Sequence, residues 1–121
     1  DPAYVATGSA GQVLTSAGAD APPTFATLSA GAYNDWAVKT GTYTASNKDQ
    51  LIANSGSDFT ITLPASPSVG NTVVIKNVGA GTVTVGRNGS NIEGSAQDGT
   101  LASTKAMQVV YVDGTLGWKE L

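Results

Sequence analysis

Phe59-Thr60-Ile61-Thr62-Leu63 is the stretch that decides the fold, and Thr82-Val83-Thr84-Val85 repeats its pattern. In both stretches apolar residues alternate with threonine. Because successive side chains of a β-strand point to opposite faces, each stretch has one apolar face and one polar face. Gly, Thr, Val and Asn, which are poor helix formers, recur along the chain, and no long apolar repeat of 3.6 residues is present. The sequence therefore predicts half-buried strands in an all-β protein.

Two further runs, residues 72–76 and 107–112, are more continuously apolar. Such runs suit strands that are covered on both faces, either within a sandwich or at a contact between subunits. Turn formers such as Asn88-Gly89 and Asp113-Gly114 separate them from weaker strands. The weaker strands are expected over residues 36–43, 50–53, 100–102 and 116–121. Short strands at this spacing predict a small antiparallel β-sandwich or roll.

The first third of the chain has a different composition, rich in Ala, Gly, Ser and Thr. Its few large apolar residues, among them Val13, Leu14, Phe25 and Leu28, bury too little surface to offset the entropy of ordering the segment alone. We therefore divide the chain into a mostly extended N-terminal segment, 1–34, with room for a hairpin, and a C-terminal β-domain, 35–121. The segment needs a partner, either other copies of itself or the domain that follows.

Composition limits the chemistry of this chain of 121 residues, which has no Cys and no His. Thiolate nucleophiles, disulfides and the usual zinc ligands are thus excluded, and we expect no cofactor. Charged residues make up 12%, about half the usual share, and the six cations are scattered. Nucleic acid is not an expected partner, because no basic stripe is present to neutralise phosphates. No apolar run reaches the ~20 residues that a membrane span requires.

One short motif resembles a sequence common in bacteriophage tail-fibre proteins. It runs from Gly8 through Gly11-Gln12-Val13-Leu14-Thr15-Ser16, and continues with a turn and Pro23-Thr24-Phe25. In those proteins the final aromatic is usually Trp, so Phe25 differs in type but keeps a large apolar side chain at this place.

A second resemblance covers residues 43–121 and is to a C-terminal domain of phage fibre and appendage proteins. The residues that carry it include Phe59 to Pro64, Gly86 to Ile92, Tyr111 to Gly114, and Gly117-Trp118. The two resemblances imply a rigid homotrimeric fibre element on a virion. The start on Asp1-Pro2, without Met, is consistent with a fragment of a longer polypeptide.

The function expected from this resemblance is structural and adhesive, without covalent chemistry. The expected partners are two further copies, other virion proteins, and a bacterial surface glycan or protein. The alternative is a capsid, collar or decoration fibre subunit that binds no receptor. A third hypothesis, a fragment of a glycan-degrading spike, would require two suitably spaced acids.

The loop from Gly86 to Asn91 is the candidate receptor contact. Arg87 carries a planar fork of donors, and Asn88 and Asn91 carry amides that suit sugar hydroxyls or carboxylates. The alternative is that Arg87 pairs with Asp98 or Glu93 across a turn.

Other candidate residues have structural interpretations that we favour. Glu93 and Asp98 could form a glycosidase pair, but are expected to be solvated loop charges, so no catalytic residue is assigned. Asp35, Asp49, Asp58 and Asp113 lack the spacing of a calcium loop and are expected to cap turns, so no metal ligand is assigned. Trp36 and Trp118 could stack on sugars; we instead expect Trp118, Tyr111 and Phe59 in the core, and Trp36 where the segment joins the domain.

Overall fold

The computed structural model of the protein describes Ala10 and residues 12–16, 18–27 and 33–121. The chain divides into two compact units, residues 1–31 and 32–121. The described residues form strands and turns without any helix, so the all-β prediction is confirmed. It follows that these residues contain no helix of the length and apolarity that crossing a membrane requires.

The described residues of the first unit form an antiparallel hairpin. Strand β1, Gln12–Thr15, pairs with β2, Thr24–Thr27, in a register that places Leu14 opposite Phe25. Leu14 is 57% exposed and Phe25 is 37% exposed. Gly8, Gly11 and Leu28, which were part of the motif and of the burial argument, lie outside the described residues.

The second unit contains nine strands in two sheets. Their bounds are β3 Trp36–Lys39, β4 Tyr43–Thr44, β5 Asp49–Ala53, β6 Phe59–Thr62, β7 Thr72–Asn77, β8 Val83–Gly86, β9 Gly99–Leu101, β10 Ala106–Asp113 and β11 Gly117–Glu120. The order in the five-stranded sheet is β11-β10-β7-β5-β3, and the order in the four-stranded sheet is β4-β6-β8-β9. Each strand expected from the sequence is thus present within a few residues of its predicted bounds, and the weak stretch 36–43 splits into two strands.

The pairing corrects the predicted antiparallel arrangement. The pairs β3–β5, β5–β7, β4–β6 and β6–β8 are parallel, whereas β7–β10, β10–β11 and β8–β9 are antiparallel. From β3 to β8 the chain alternates between the two sheets. Successive strands of one sheet therefore begin at the same end of that sheet and run in the same direction. A pattern of alternating side chains is the same in both arrangements, so the sequence did not distinguish them.

A constant offset of 24 residues relates the β5–β6 layer to the β7–β8 layer. Asp49 lies opposite Val73 in one sheet, and Phe59 lies opposite Val83 in the other. The turns between the strands stack as well, with the amide of Gly81 donating to the carbonyl of Ser55 at 3.0 Å. The register is therefore kept through strand, turn and strand, as in a β-solenoid.

The core lies between the two sheets. The alternation predicted for β6 and β8 is confirmed, because Ile61, Val83 and Val85 are fully buried while the threonines between them are half-buried. The other buried apolar residues are Ala45, Leu51, Ala53, Leu63, Val73, Ile75, Ile92, Leu101, Val109 and Trp118. Strand β7 alternates in the same way, so within one chain only one of its faces is covered.

Candidate functional site

The loop after β8 has the turn that its sequence predicts. Asn88 has φ of 51° and Gly89 has φ of 87°, and the amide of Ser90 donates to the carbonyl of Arg87 at 3.2 Å. Positive φ at both central residues is the signature of a type I′ turn, which Asn-Gly favours. The turn interpretation of Asn88-Gly89 is confirmed.

The three candidate receptor residues each donate a hydrogen bond to a main-chain oxygen of the same chain. Arg87 Nη1 donates to Ser90 at 3.3 Å, Asn88 Nδ2 to Leu63 at 3.0 Å, and Asn91 Nδ2 to Thr115 at 2.9 Å. The bond of Arg87 lies within the loop, whereas those of Asn88 and Asn91 join the loop to the segment after β6 and to the turn between β10 and β11. An amide has a second N–H and an oxygen, and a guanidinium has five N–H groups, so one bond leaves further capacity for a ligand. Receptor binding by this loop stays a prediction.

The acids near this loop contact other groups than the Arg87 guanidinium. Asp98 Oδ1 accepts from the backbone amide of Arg87 at 2.9 Å. Glu93 Oε2 lies 2.6 Å from Lys119 Nζ, and Glu93 Oε1 accepts from the backbone amide of Glu120 at 2.5 Å. The pairing expected between Arg87 and Asp98 or Glu93 is therefore present only as a hydrogen bond from the Arg87 backbone amide to Asp98.

The ion pair with Lys119 also affects the chemistry of Glu93. The hydrogen bond from Lys119, followed by that from the Glu120 amide, lowers the pKa of the Glu93 carboxyl below its ordinary value of 4.5. A glycosidase general acid needs a raised pKa so that it carries a proton near neutrality. The environment of Glu93 favours the opposite state, the carboxylate.

Three of the four aspartates considered as calcium ligands accept hydrogen bonds at turns. Asp49 Oδ2 accepts from the Ser46 amide at 2.8 Å, and Asp58 Oδ1 accepts from the Thr82 amide at 2.8 Å. Asp113 Oδ1 accepts from the amides of Thr115 and Leu116. The capping interpretation is confirmed for Asp49 and Asp113, whereas Asp58 bonds to a residue 24 positions away, just before β8. In the part of the chain that the structure describes, no three acidic side chains come together as a metal site would require.

Asp49 is the buried member of this group and organises the start of β5. Its carboxylate accepts from Tyr43 Oη at 2.8 Å and from Asn34 Nδ2 at 2.9 Å, in addition to the Ser46 amide. The hydrogen bond to Asp49 raises the pKa of the Tyr43 hydroxyl above its ordinary value of 10.0, and partial burial adds to this effect. Asp49 therefore supports the structure here, with its buried charge satisfied by donors.

The two tryptophans differ in their surroundings. Trp118 is fully buried and meets Tyr111 edge to face, with ring centroids 5.6 Å apart. Its predicted place in the core is confirmed, and Tyr111 and Phe59 pack against that core. Trp36 is 51% exposed on β3. The expected place of Trp36, at the joint between the N-terminal segment and the domain, stays a prediction.

Trp36 belongs to a surface that we call the outer face, the side of the five-stranded sheet turned away from the core. Its members are Trp36, Val38, Gln50, Ile52, Thr72, Val74, Lys76, Gln108 and Val110. Trp36, Ile52 and Lys76, together with Val78 just after β7, line a shallow depression of about 410 Å³. The sequence indicated a second covered face, or a contact between subunits, for the runs 72–76 and 107–112, but it did not indicate that Trp36, Val38 and Ile52 belong to the same surface. The outward positions of β3, β5, β7 and β10 contain apolar residues where a solvated sheet has polar ones.

Comparison with known proteins does not assign this chain to a family. No protein-family profile matches the sequence, and no curated protein matches it. Among solved structures, one chain from a "Structure of a chaperone-substrate complex" is similar over 68% of this protein and 14% of its own length, with 13% identity and a TM-score of 0.49. The protein thus corresponds to a small part of that chain, and a similarity of this size supports no functional conclusion.

Proposed function

We propose that this chain is a structural and adhesive component of a bacteriophage virion, similar to tail-fibre proteins, and that it works as a homotrimer without catalysing a reaction. The observation that carries the proposal is the parallel stacking of the β7–β8 layer on the β5–β6 layer, with the same 24-residue offset in both sheets. Such a scaffold resists bending, because each layer is bonded to the next in its strands and also in its turns.

The close fit of the turns is part of the same support. A side chain on Gly79 would overlap the main chain of Ser55, and one on Gly81 would overlap the main chain of Ser57. Glycine at these two positions allows the backbones of the two layers to touch. The stiffness of the module therefore depends on main-chain contacts in addition to the apolar core.

The adhesive part of the proposal assigns contact with a bacterial surface glycan or protein to Arg87, Asn88 and Asn91. Support comes from the position of Arg87 and Asn88 on a tight turn at the end of β8, since binding groups commonly lie on loops held by a rigid scaffold. The remaining amide and guanidinium donors suit hydroxyls and carboxylates.

The second candidate is a capsid, collar or decoration fibre subunit that binds no receptor. One observation favours it: Asn88 and Asn91 each donate an amide N–H to a carbonyl oxygen of their own chain. Under this proposal the loop is scaffold, and the partners are two further copies and other virion proteins.

Two measurements test these proposals. Sedimentation equilibrium of the purified chain should give three times the mass of one chain, and a folded monomer at micromolar concentration would count against the trimer. Electron microscopy of virions with an antibody against this chain should label an appendage. Label at the distal end of a tail fibre supports the first candidate, whereas label on the capsid or collar supports the second.

A further inference from the structure

We propose that a second copy of this chain docks on the outer face of the five-stranded sheet, with Trp36 and Val38 inside the contact. This inference rests on the homotrimer of the proposed function and adds the surface that would form it. The partner is another copy of the same polypeptide, and the contact is mainly apolar.

Exposure and register place part of the apolar residues of this face side by side. Trp36 is 51% exposed and Val38 is 58% exposed, and Val38 lies opposite Ile52 on β5. The polar Gln50 lies between Trp36 and Val74 in the neighbouring row. The continuous apolar surface is thus the part formed by Trp36, Val38 and Ile52, and it borders the depression lined by Trp36, Ile52 and Val78.

Lys76 is the one charged residue among the nine that define this face. Its Nζ donates one hydrogen bond to the carbonyl of Thr104 at 2.5 Å. A strongly acidic or phosphate-bearing partner would thus meet a single cation among neutral side chains. The face therefore fits an apolar partner better than a charged one.

The edge of the sheet supports a second copy as that partner. Among the described residues, strand β3 pairs with β5 on one side and ends the sheet on the other. Proteins usually protect such an edge with charges, prolines or bulges. The one charged residue of β3, Lys39, lies over the ring of Tyr43, and the outward side chains of the strand are Trp36 and Val38. Every copy carries the same open edge and the same face, so copies that are made together meet this surface on one another.

The size of the exposed surface agrees with the core of an interface. Half of a Trp side chain of ~150–250 Å² and half of two smaller Val side chains are exposed at Trp36, Val38 and Val78, which leaves on the order of 200 Å² of apolar surface. A standard contact buries about 800 Å² per partner, of which the apolar core is a part. The polar outward residues, such as Gln50 and Gln108, would form part of the rim.

The first test changes the charge of the face. Val38→Asp should convert the oligomer to a monomer at micromolar concentration, because the contact would bury an unpaired carboxylate. The matched control is Val69→Asp, which places the same charge at a residue that is 76% exposed in the turn between β6 and β7. Sedimentation and far-UV circular dichroism should show a folded monomer for the first variant and an unchanged oligomer for the control.

The second test measures whether position 38 is buried in the oligomer, and it does not require a variant that fails to assemble. The natural chain has no cysteine, so Val38→Cys and Val69→Cys each introduce a single thiol. In the oligomer a bulky maleimide should react at least tenfold more slowly with Cys at position 38 than after dilution to the monomer, whereas position 69 should react equally in both states.

The outcomes separate this inference from the proposed function. The natural chain could be a trimer while Val38→Asp assembles normally and the thiol at position 38 stays fully reactive. In that case the proposed docking surface is wrong, but the proposal of a homotrimer stands. A natural chain that remains monomeric overturns both proposals.

Discussion

The side-chain amide nitrogen of Asn77 lies 3.0 Å from the carbonyl oxygen of Leu101, and this hydrogen bond joins the end of β7 in one sheet to β9 in the other. The same nitrogen donates to Gly81 at 2.9 Å, and Asn77 Oδ1 accepts from the Gly79 amide at 3.1 Å. Asn77 is 1% exposed. One buried amide thus satisfies three main-chain groups where the two sheets meet.

Replacing Asn77 with Leu should destabilise the protein by about 3 kcal/mol or more, because buried main-chain groups left without a partner cost about 1–3 kcal/mol each. Urea unfolding at one fixed protein concentration measures the change. Asn91→Ala is the control: it removes one exposed side-chain bond, to the carbonyl of Thr115, and should cost about 1 kcal/mol. Equal losses for the two variants would contradict this role of Asn77.

Gly117→Ala should destabilise the protein by about 3 kcal/mol, since two effects add at this residue. Its φ is 69°, and a Cβ would overlap the main chain of Asn91, whose carbonyl accepts from the Trp118 amide. Gly89→Ala separates the two effects: φ is 87°, but the space around a Cβ is open, so strain alone should cost about 1 kcal/mol. Thermal unfolding of both variants provides the comparison.

The Glu93–Lys119 ion pair should give a measurable acid dependence. The folded-state pKa of Glu93 is lowered, so its stabilising contribution is complete above the unfolded pKa and is lost as the pH falls through the folded value. An NMR titration should place the carboxyl midpoint below 4.5, and Lys119→Met should return it towards that value. High salt should reduce the difference, because the pair is exposed. A midpoint that does not respond to Lys119→Met would refute the assigned cause.

Joint replacement of Arg87, Asn88 and Asn91 by Ala in the intact fibre should reduce adsorption to host cells at least tenfold, if the loop supplies the receptor contact. The loss of three internal hydrogen bonds should also lower stability by about 1 kcal/mol each. Sedimentation must therefore show that the variant still assembles. Normal adsorption by a folded variant would identify the loop as scaffold and favour the second candidate function.

The purified chain should release no reducing sugar from bacterial surface polysaccharide. Glu93, the acid with the most suitable position in the sequence, is ion-paired with Lys119 and accepts from the Glu120 amide, and its lowered pKa disfavours the protonated form that a general acid requires. Release that disappears in Glu93→Gln would disprove the non-enzymatic proposal, and Asp113→Asn, at a separate turn, is the control for this test.

The sequence alone determined the local structure of the C-terminal part. Ile61 and Val85 were expected to be buried because they alternate with threonine, and Asn88-Gly89 was expected to be a tight turn because both residues tolerate positive φ. These properties depend on neighbours within a few residues. They can therefore be predicted from the amino-acid sequence.

Only the tertiary structure decided strand direction, charge partners and the part that β3 and β5 contribute to the outer face. The match of Asp49 with Val73 joins residues 24 positions apart, and Glu93 meets Lys119 from a different part of the chain. Alternation tells which side chains share a face but not which strand lies beside it or in which direction that strand runs. Those choices follow from how the chain alternates between the two sheets, and hence from packing over long sequence distances.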